Sequence, residues 1–169
     1  MSGNTLYIDL SKIVKMTDSD IPVALEIPAD AFSDGQLELC SSVKITGRIV
    51  NLSGMLSINA TLEFSVEYKC DRCLTAFEKD CKLELSEDIA PENSQEREAD
   101  EYIPYKSNRM LLTDAVYKCI FSGMDIKNVC KPDCKGLCGM CGIDLNNGSC
   151  SCGEEEIDPR LLKLKELLK

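Results

Sequence analysis

Six cysteines fall within the twenty-three residues from Cys130 to Cys152, which read CKPDCKGLCGMCGIDLNNGSCSC. Two more, Cys70 and Cys73, form a C-x-x-C in the stretch CDRCL. Thiols at this density and spacing are suited to gripping a metal ion. The chain contains no histidine, so any such site must be built mainly from thiolates. Cys138-x2-Cys141 and Cys150-x-Cys152 are separated by the eight residues GIDLNNGS, which carry the turn signal Asn147-Gly148. Two close pairs joined by such a loop can close a self-contained tetrahedron of four thiolates. Gly139 and Gly142 suit the tight backbone that lets N–H groups reach the sulfurs and disperse the net charge of Zn²⁺ with four thiolates.

Cys130-x3-Cys134 is left over, as is Cys70-x2-Cys73. The eight thiols divide into two tetrahedra, and the second is predicted to join a hairpin tip at Cys70 and Cys73 to the C-terminal segment at Cys130 and Cys134. A four-thiolate site has no open coordination position, so the expected one or two zinc ions are structural rather than catalytic. The cluster is then expected to act as a clasp that fixes the C-terminal segment onto the β-rich part of the chain.

Three other chemistries compete with zinc for these cysteines. Cys134-x3-Cys138-x2-Cys141 matches the cluster spacing of radical adenosylmethionine enzymes, but those need a large barrel after the motif. Only twenty-eight residues follow Cys141. An iron–sulfur protein of another type stays open, because four cysteines alone do not separate zinc from iron. A redox dithiol at Cys70 and Cys73 would want a helix after the motif, where the pattern instead continues as a strand. Without histidine there is no Ser-His-Asp or Cys-His arrangement, and no Gly-rich phosphate loop is present. The chain is therefore expected not to be an enzyme and to have no small-molecule substrate.

Length and composition set the frame for these residues. The 169 residues allow one domain, or one with a small appendage. Core material is thin, with no Trp, four Phe and five Tyr. A structural zinc in a small peptide contributes roughly 10–16 kcal/mol of apparent binding energy, comparable with the net stability of a whole domain. The start, MSGNTLYIDLSKIVKM, has no apolar run of the signal-peptide kind, and no stretch approaches a membrane span. Eleven cysteines in that setting predict a reducing, cytoplasmic location and no membrane partner. The formal charge of −10 argues against general binding to phosphate backbones and favours a basic protein partner.

The elements that must position the thiols are mostly strands. Leu6–Leu10 and Val23–Ile27 are short strand candidates on either side of the polar run MTDSD. Val43, Ile45, Gly47 and Ile49 alternate with polar residues, and the turn Asn51-Leu-Ser-Gly54 follows. Leu56 to Lys69 then alternates strictly, the mark of a half-buried antiparallel strand. A third strand is expected over about Ala76–Leu85, and residues 87–101 read as an exposed acidic loop. A helix is predicted over 112–122, capped by Thr113 or Asp114, with Ala115, Val116, Cys119 and Ile120 on its apolar side. Asp158-Pro159 opens a second helix over 160–169 with a leucine stripe. Cys40, Cys81 and Cys119 are expected to be packing residues.

The expected fold class is α+β: an antiparallel β-meander or partly open barrel with a few short helices and a C-terminal cysteine-rich zinc unit. Residues 1–129 would form the β-rich domain with the hairpin-tip C-x-x-C, and 130–169 the cysteine-rich segment with the last helix packed on it.

The order of CDRCL, an acidic stretch, a short helix, KGLCGMCGIDLN and DPRL resembles the YceD-like family, the large ribosomal RNA subunit accumulation proteins. The likeness spans roughly Ser42 to Lys169. Gly139 stands where the family commonly has proline, and Asp144-Leu-Asn146 where Asn-Leu-Asn is common; neither change touches a thiol. Cys70 and Cys73 carry over from the first motif, and Cys130, Cys134, Cys138, Cys141, Cys150 and Cys152 from the second. The resemblance implies a role in ribosome biogenesis, supporting accumulation of large-subunit ribosomal RNA, with no established reaction. The expected partner is a basic ribosomal protein of the large subunit, or the large-subunit precursor particle docked through one. The alternative is direct ribosomal RNA binding through Lys131, Lys135, Arg160, Lys163, Lys165 and Lys169.

Overall fold

In the computed structural model, residues 6–32, 39–94 and 102–152 are described. The expected helix over 160–169 lies outside them. The chain divides into two compact units: residues up to Tyr68 together with Ala76–Asn128, and Lys69–Thr75 together with the segment from Val129 onward.

The first unit is one seven-stranded sheet with a single α-helix among the described residues. Its strands are β1 (Tyr7–Asp9), β2 (Ser19–Ile27), β3 (Val43–Leu52), β4 (Met55–Lys69), β5 (Ala76–Pro91), β6 (Ile103–Lys106) and β7 (Arg109–Leu111); α1 spans Leu112–Gly123. Two 3₁₀ turns, Ile13–Lys15 and Ala29–Phe32, complete it. The sheet order is β1-β7-β6-β5-β4-β3-β2.

The expected α+β class is therefore corrected to a mostly-β fold, because strands take up segments that lacked a strand signal. The sheet is also not a simple meander. Strands β2 to β5 run as consecutive neighbours, but β6 lies parallel to β5, with Ile89 opposite Ile103. The N-terminal β1 closes the far side by pairing with β7, Tyr7 against Leu111.

The strongest sequence pattern gives the strongest structure. In β4, Leu56, Ile58, Ala60, Leu62, Phe64 and Val66 are all buried while Asn59, Glu63 and Glu67 are exposed. Full burial of side chains such as Ile45, Ile58 and Leu62 stabilises by about 1.5–3 kcal/mol each relative to exposure. The β3–β4 connection is the two residues Ser53 and Gly54, both at positive φ (53° and 92°), as a twist-matched hairpin turn requires. Buried Asn51 secures it: its Oδ1 accepts the Gly54 N–H at 2.9 Å, and its Nδ2 donates to the Ile13 carbonyl at 2.7 Å. Gly47 is needed for a different reason. A Cβ there would sit 2.2 Å from the Asn59 carbonyl oxygen on the paired strand.

Strand β5 runs six residues past its expected end, so Glu87 to Pro91 are strand rather than acidic loop. Side-chain bonds from Ser65 to Asp80, Lys82 to Glu63 and Ser86 to Asn59 run in opposite directions along β4 and β5, as antiparallel neighbours do. Helix α1 buries Leu112, Ala115, Val116 and Ile120. Its first residue follows Leu111 without a side-chain cap, and the expected cap Thr113 instead accepts the Leu6 N–H at 3.2 Å. Cys81 and Cys119 pack against the core as partly buried residues, whereas Cys40 is exposed and not a packing residue. Among the described residues no helix is long and apolar enough to cross a membrane.

Candidate metal centres

The second unit holds eight of the eleven cysteines, and the structure sorts them into two groups of four. Cys70, Cys73, Cys130 and Cys134 form one; Cys138, Cys141, Cys150 and Cys152 form the other. Within each group all four sulfurs lie within 4.8 Å of one another. No cysteine of the chain is in a disulfide.

Cys70 and Cys73 are set by a tight turn between β4 and β5. The Cys70 N–H donates to the Thr75 carbonyl at 2.9 Å and the Leu74 N–H to the Cys70 carbonyl at 2.8 Å, with Leu74 in the left-handed region at φ 60°. This fold-back points the Arg72 N–H at the Cys70 sulfur, 3.4 Å away. The Cys130 N–H reaches the same sulfur at 3.4 Å. Arg72 then links the two segments. Its Nη1 donates to the Cys134 carbonyl at 2.9 Å, and its own carbonyl accepts the Leu137 N–H at 3.0 Å. Gly136 passes so close that a Cβ would lie 2.9 Å from the Arg72 carbonyl oxygen, and its φ is +75°.

The second group is local. Residues 136–145 fold back on themselves: Leu137 pairs with Asp144, the Cys138 N–H donates to the Ile143 carbonyl at 2.8 Å, and the Leu145 N–H to the Gly136 carbonyl at 2.9 Å. Gly142, at φ +72°, donates to the Cys138 carbonyl at 2.9 Å and makes the turn. Asp144 accepts from the Asn146 N–H at 2.9 Å and from Asn147 Nδ2 at 2.7 Å, which keeps its carboxyl below the usual range.

The sulfur spacings have the right scale for a four-coordinate ion. Zn–S bonds of about 2.3 Å in a tetrahedron place sulfurs about 3.8 Å apart, far beyond the roughly 2.0 Å of a disulfide. Cys70 and Cys134 are 3.8 Å apart, Cys73 and Cys130 are 3.7 Å apart, and Cys138 and Cys150 are 3.4 Å apart. Electrostatics leads the same way. Burial opposes ionisation of Cys70, yet the N–H groups of Cys130, Cys73 and Arg72 bring its pKa down to about 6. Cys130 is pushed up to about 12 by burial and by its hydrogen bonds with the sulfurs of Cys70, Cys73 and Cys134. In the second group the Cys141 and Met140 N–H groups, with Cys150, lower Cys138 to about 6. Cys152 rises to about 12 through its hydrogen bond with Cys141 and through burial. Each group thus holds a ready thiolate beside a thiol that its neighbours keep protonated. A cation at the centre would remove that repulsion and let all four ionise. Both groups could hold a metal ion.

A family model described as "Large ribosomal RNA subunit accumulation protein YceD" matches residues 58–168, which include both groups. The chain belongs to the YceD family. Uncharacterised proteins of Mycobacterium bovis and of two Mycobacterium tuberculosis strains are each 28% identical to it over 124 residues. The matched region covers 72% of this chain and 59% of each relative, so the chain spans about three-fifths of the length of the curated relatives it matches. No solved structure gives a significant match.

Against this YceD chain, the sequence reading named all eight clustered cysteines and the turn glycine Gly142, but missed Arg72, Gly136 and Asn146 as residues that support them. Arg72 lies between two of those cysteines and carries a bidentate donor, which could have drawn notice. Asn146 entered only as part of a motif, although its Nδ2 lies 3.4 Å from the Cys134 sulfur.

Proposed function

We propose that this chain is a ribosome-biogenesis factor that supports accumulation of large-subunit ribosomal RNA by binding a basic ribosomal protein on the subunit precursor. Membership of the YceD family carries the reading. The −10 formal charge supports a basic protein partner over bare RNA, since affinity for a phosphate backbone needs clustered cations. The site of action in this reading is the cytoplasm, where ribosomes are assembled and thiols stay reduced.

The metal in this proposal is zinc, one ion held by Cys70, Cys73, Cys130 and Cys134 and one by Cys138, Cys141, Cys150 and Cys152. Zinc would supply folding energy, because four protein thiolates fill its coordination sphere and leave no place for substrate. Arg72, Gly136 and the N–H groups on the sulfurs hold the thiolates in place and spread their charge. The protein then acts as a shaped surface rather than as a catalyst.

Two measurements test this. Native mass spectrometry of the intact protein should find two zinc ions; stoichiometric iron, with a cluster absorption band in anaerobically purified protein, would replace zinc with an iron–sulfur reading. Affinity purification under nuclease treatment should retain a basic large-subunit protein. Loss of every ribosomal protein on nuclease treatment, with binding to bare large-subunit RNA that survives physiological salt, would instead support direct RNA contact.

A further inference from the structure

The loop that joins Cys141 to Cys150 in one group carries a side chain that reaches the other group. Asn146 uses its whole amide. Its Oδ1 accepts the Lys135 N–H at 2.9 Å, and its Nδ2 donates to Asp144 Oδ1 at 2.7 Å and to Cys134 Sγ at 3.4 Å. The arrangement fixes which way the amide faces, with the oxygen toward a donor and the nitrogen toward two acceptors. Its position is fixed as well. The Asn146 N–H is held by Asp144, and neighbouring Leu145 is tied to Gly136, two residues beyond Cys134.

We propose that Asn146 is a positioning residue that couples the two metal centres. Its amide holds the Cys134 sulfur and disperses the thiolate charge there, while the loop that carries it is shaped by the ion between Cys138 and Cys152. Occupancy of the local centre therefore tightens metal binding at the Cys70 centre. By linkage, occupancy of the Cys70 centre tightens the local one by the same factor. The inference rests on the reading that both groups bind metal. Hydrogen bonds to metal-ligating groups typically change metal affinity by about 10–100-fold, which sets the expected size.

The test uses the full chain loaded with cadmium and followed by cadmium NMR, in which the two centres give separate resonances. Cys73→Ser and Cys152→Ser variants assign them. Asn146→Asp preserves side-chain size but turns a carboxylate oxygen toward the Cys134 sulfur; Asn146→Ala simply removes the donor. Chelator competition should show the Cys70 centre weakened by about 10–100-fold, more by Asp than by Ala, with its resonance shifted. The Cys138 resonance should keep its position and so report that the unit remains folded. Emptying the local centre with Cys141→Ser and Cys150→Ser should weaken the Cys70 centre in the wild-type background and have little further effect in Asn146→Ala. An effect of emptying the local centre that is as large in Asn146→Ala as in the wild-type background, or no change at the Cys70 centre, overturns the coupling. Wild-type protein that holds fewer than two cadmium ions overturns the metal reading itself, which separates the two failures.

Discussion

In one thiol group Cys70, Cys73 and Cys134 are buried, and the paired sulfurs come from residues 57 and 64 positions apart. In the other, Cys141 is exposed and the paired Cys138 and Cys150 are only 12 positions apart. The ligand sets are identical, so the difference lies in what each centre closes. A cross-link over some sixty residues removes more freedom from the unfolded chain than one over twelve, by about 1.5 kcal/mol on the loop-closure scale. The local group organises a turn that its own glycines and hydrogen bonds already favour. The long-range group joins two segments that nothing in the local sequence brings together.

The largest expected effect breaks the long-range centre. Cys134→Ser should remove one metal ion and lower stability by several kcal/mol, because it leaves buried Cys70 and Cys73 and half-buried Cys130 one ligand short. Limited proteolysis should then cut near residues 129–137. Cys141→Ser should also remove one ion but cost clearly less. Equal loss of thermal stability in the two variants would erase the proposed contrast.

Chelator access gives the next test. Release from the buried centre must wait for local opening, so zinc should leave in two phases, with the exposed centre emptying roughly tenfold faster. A single phase followed by a chromophoric chelator would count against it. A pair of glycine variants separates packing from backbone strain. Gly136→Ala and Gly142→Ala both put a side chain at positive φ, at a cost of about 1 kcal/mol. Gly136→Ala also drives a Cβ to 2.9 Å from a carbonyl oxygen, whereas nothing lies within 4 Å of that position at Gly142. Metal affinity should therefore fall further for Gly136→Ala.

The smallest effect concerns protons in the metal-free protein. Cys138 has a pKa of about 6 when folded, below the roughly 8.5 of a free thiol. Because folding depresses this pKa, the associated stability is fully present above the unfolded value and is lost as pH falls through about 6. Alkylation of Cys138, read by peptide mass spectrometry, should show its midpoint near 6. Cys152, pushed up to about 12, should stay unreactive at that pH.

What the sequence revealed follows the same division between local and distant. The alternation from Leu56 to Lys69 is visible because one face of β4 meets the core and the other meets water. Strands β6 and β7 escaped notice, since four and three residues are too few to display a period. Their turn, Ser107-Asn108, has both residues at positive φ (51° and 59°) without a glycine to mark it. Glu87 and Asp88 looked like loop because β5 is exposed there, yet the strand continues to Pro91, where Ile89 and Ala90 are buried and paired with β6. Among the thiols, the grouping of Cys138, Cys141, Cys150 and Cys152 follows from spacing alone. The second group follows only as the four thiols left over, joined to a hairpin tip some sixty positions away, and its supporting contacts from Arg72 and Asn146 leave no periodic trace.

The division of the second unit between Lys69–Thr75 and the segment from Val129 has a consequence in time. During synthesis Cys70 and Cys73 emerge long before Cys130 and Cys134. At about 5–20 residues per second the interval is roughly 3–12 seconds. Throughout it the tip presents two of the four thiols, and the chain between β5 and α1 must be made before the other two arrive. Closure of that centre thus registers that the intervening chain has been delivered, and a stalled or truncated product would carry an open pair of thiols instead.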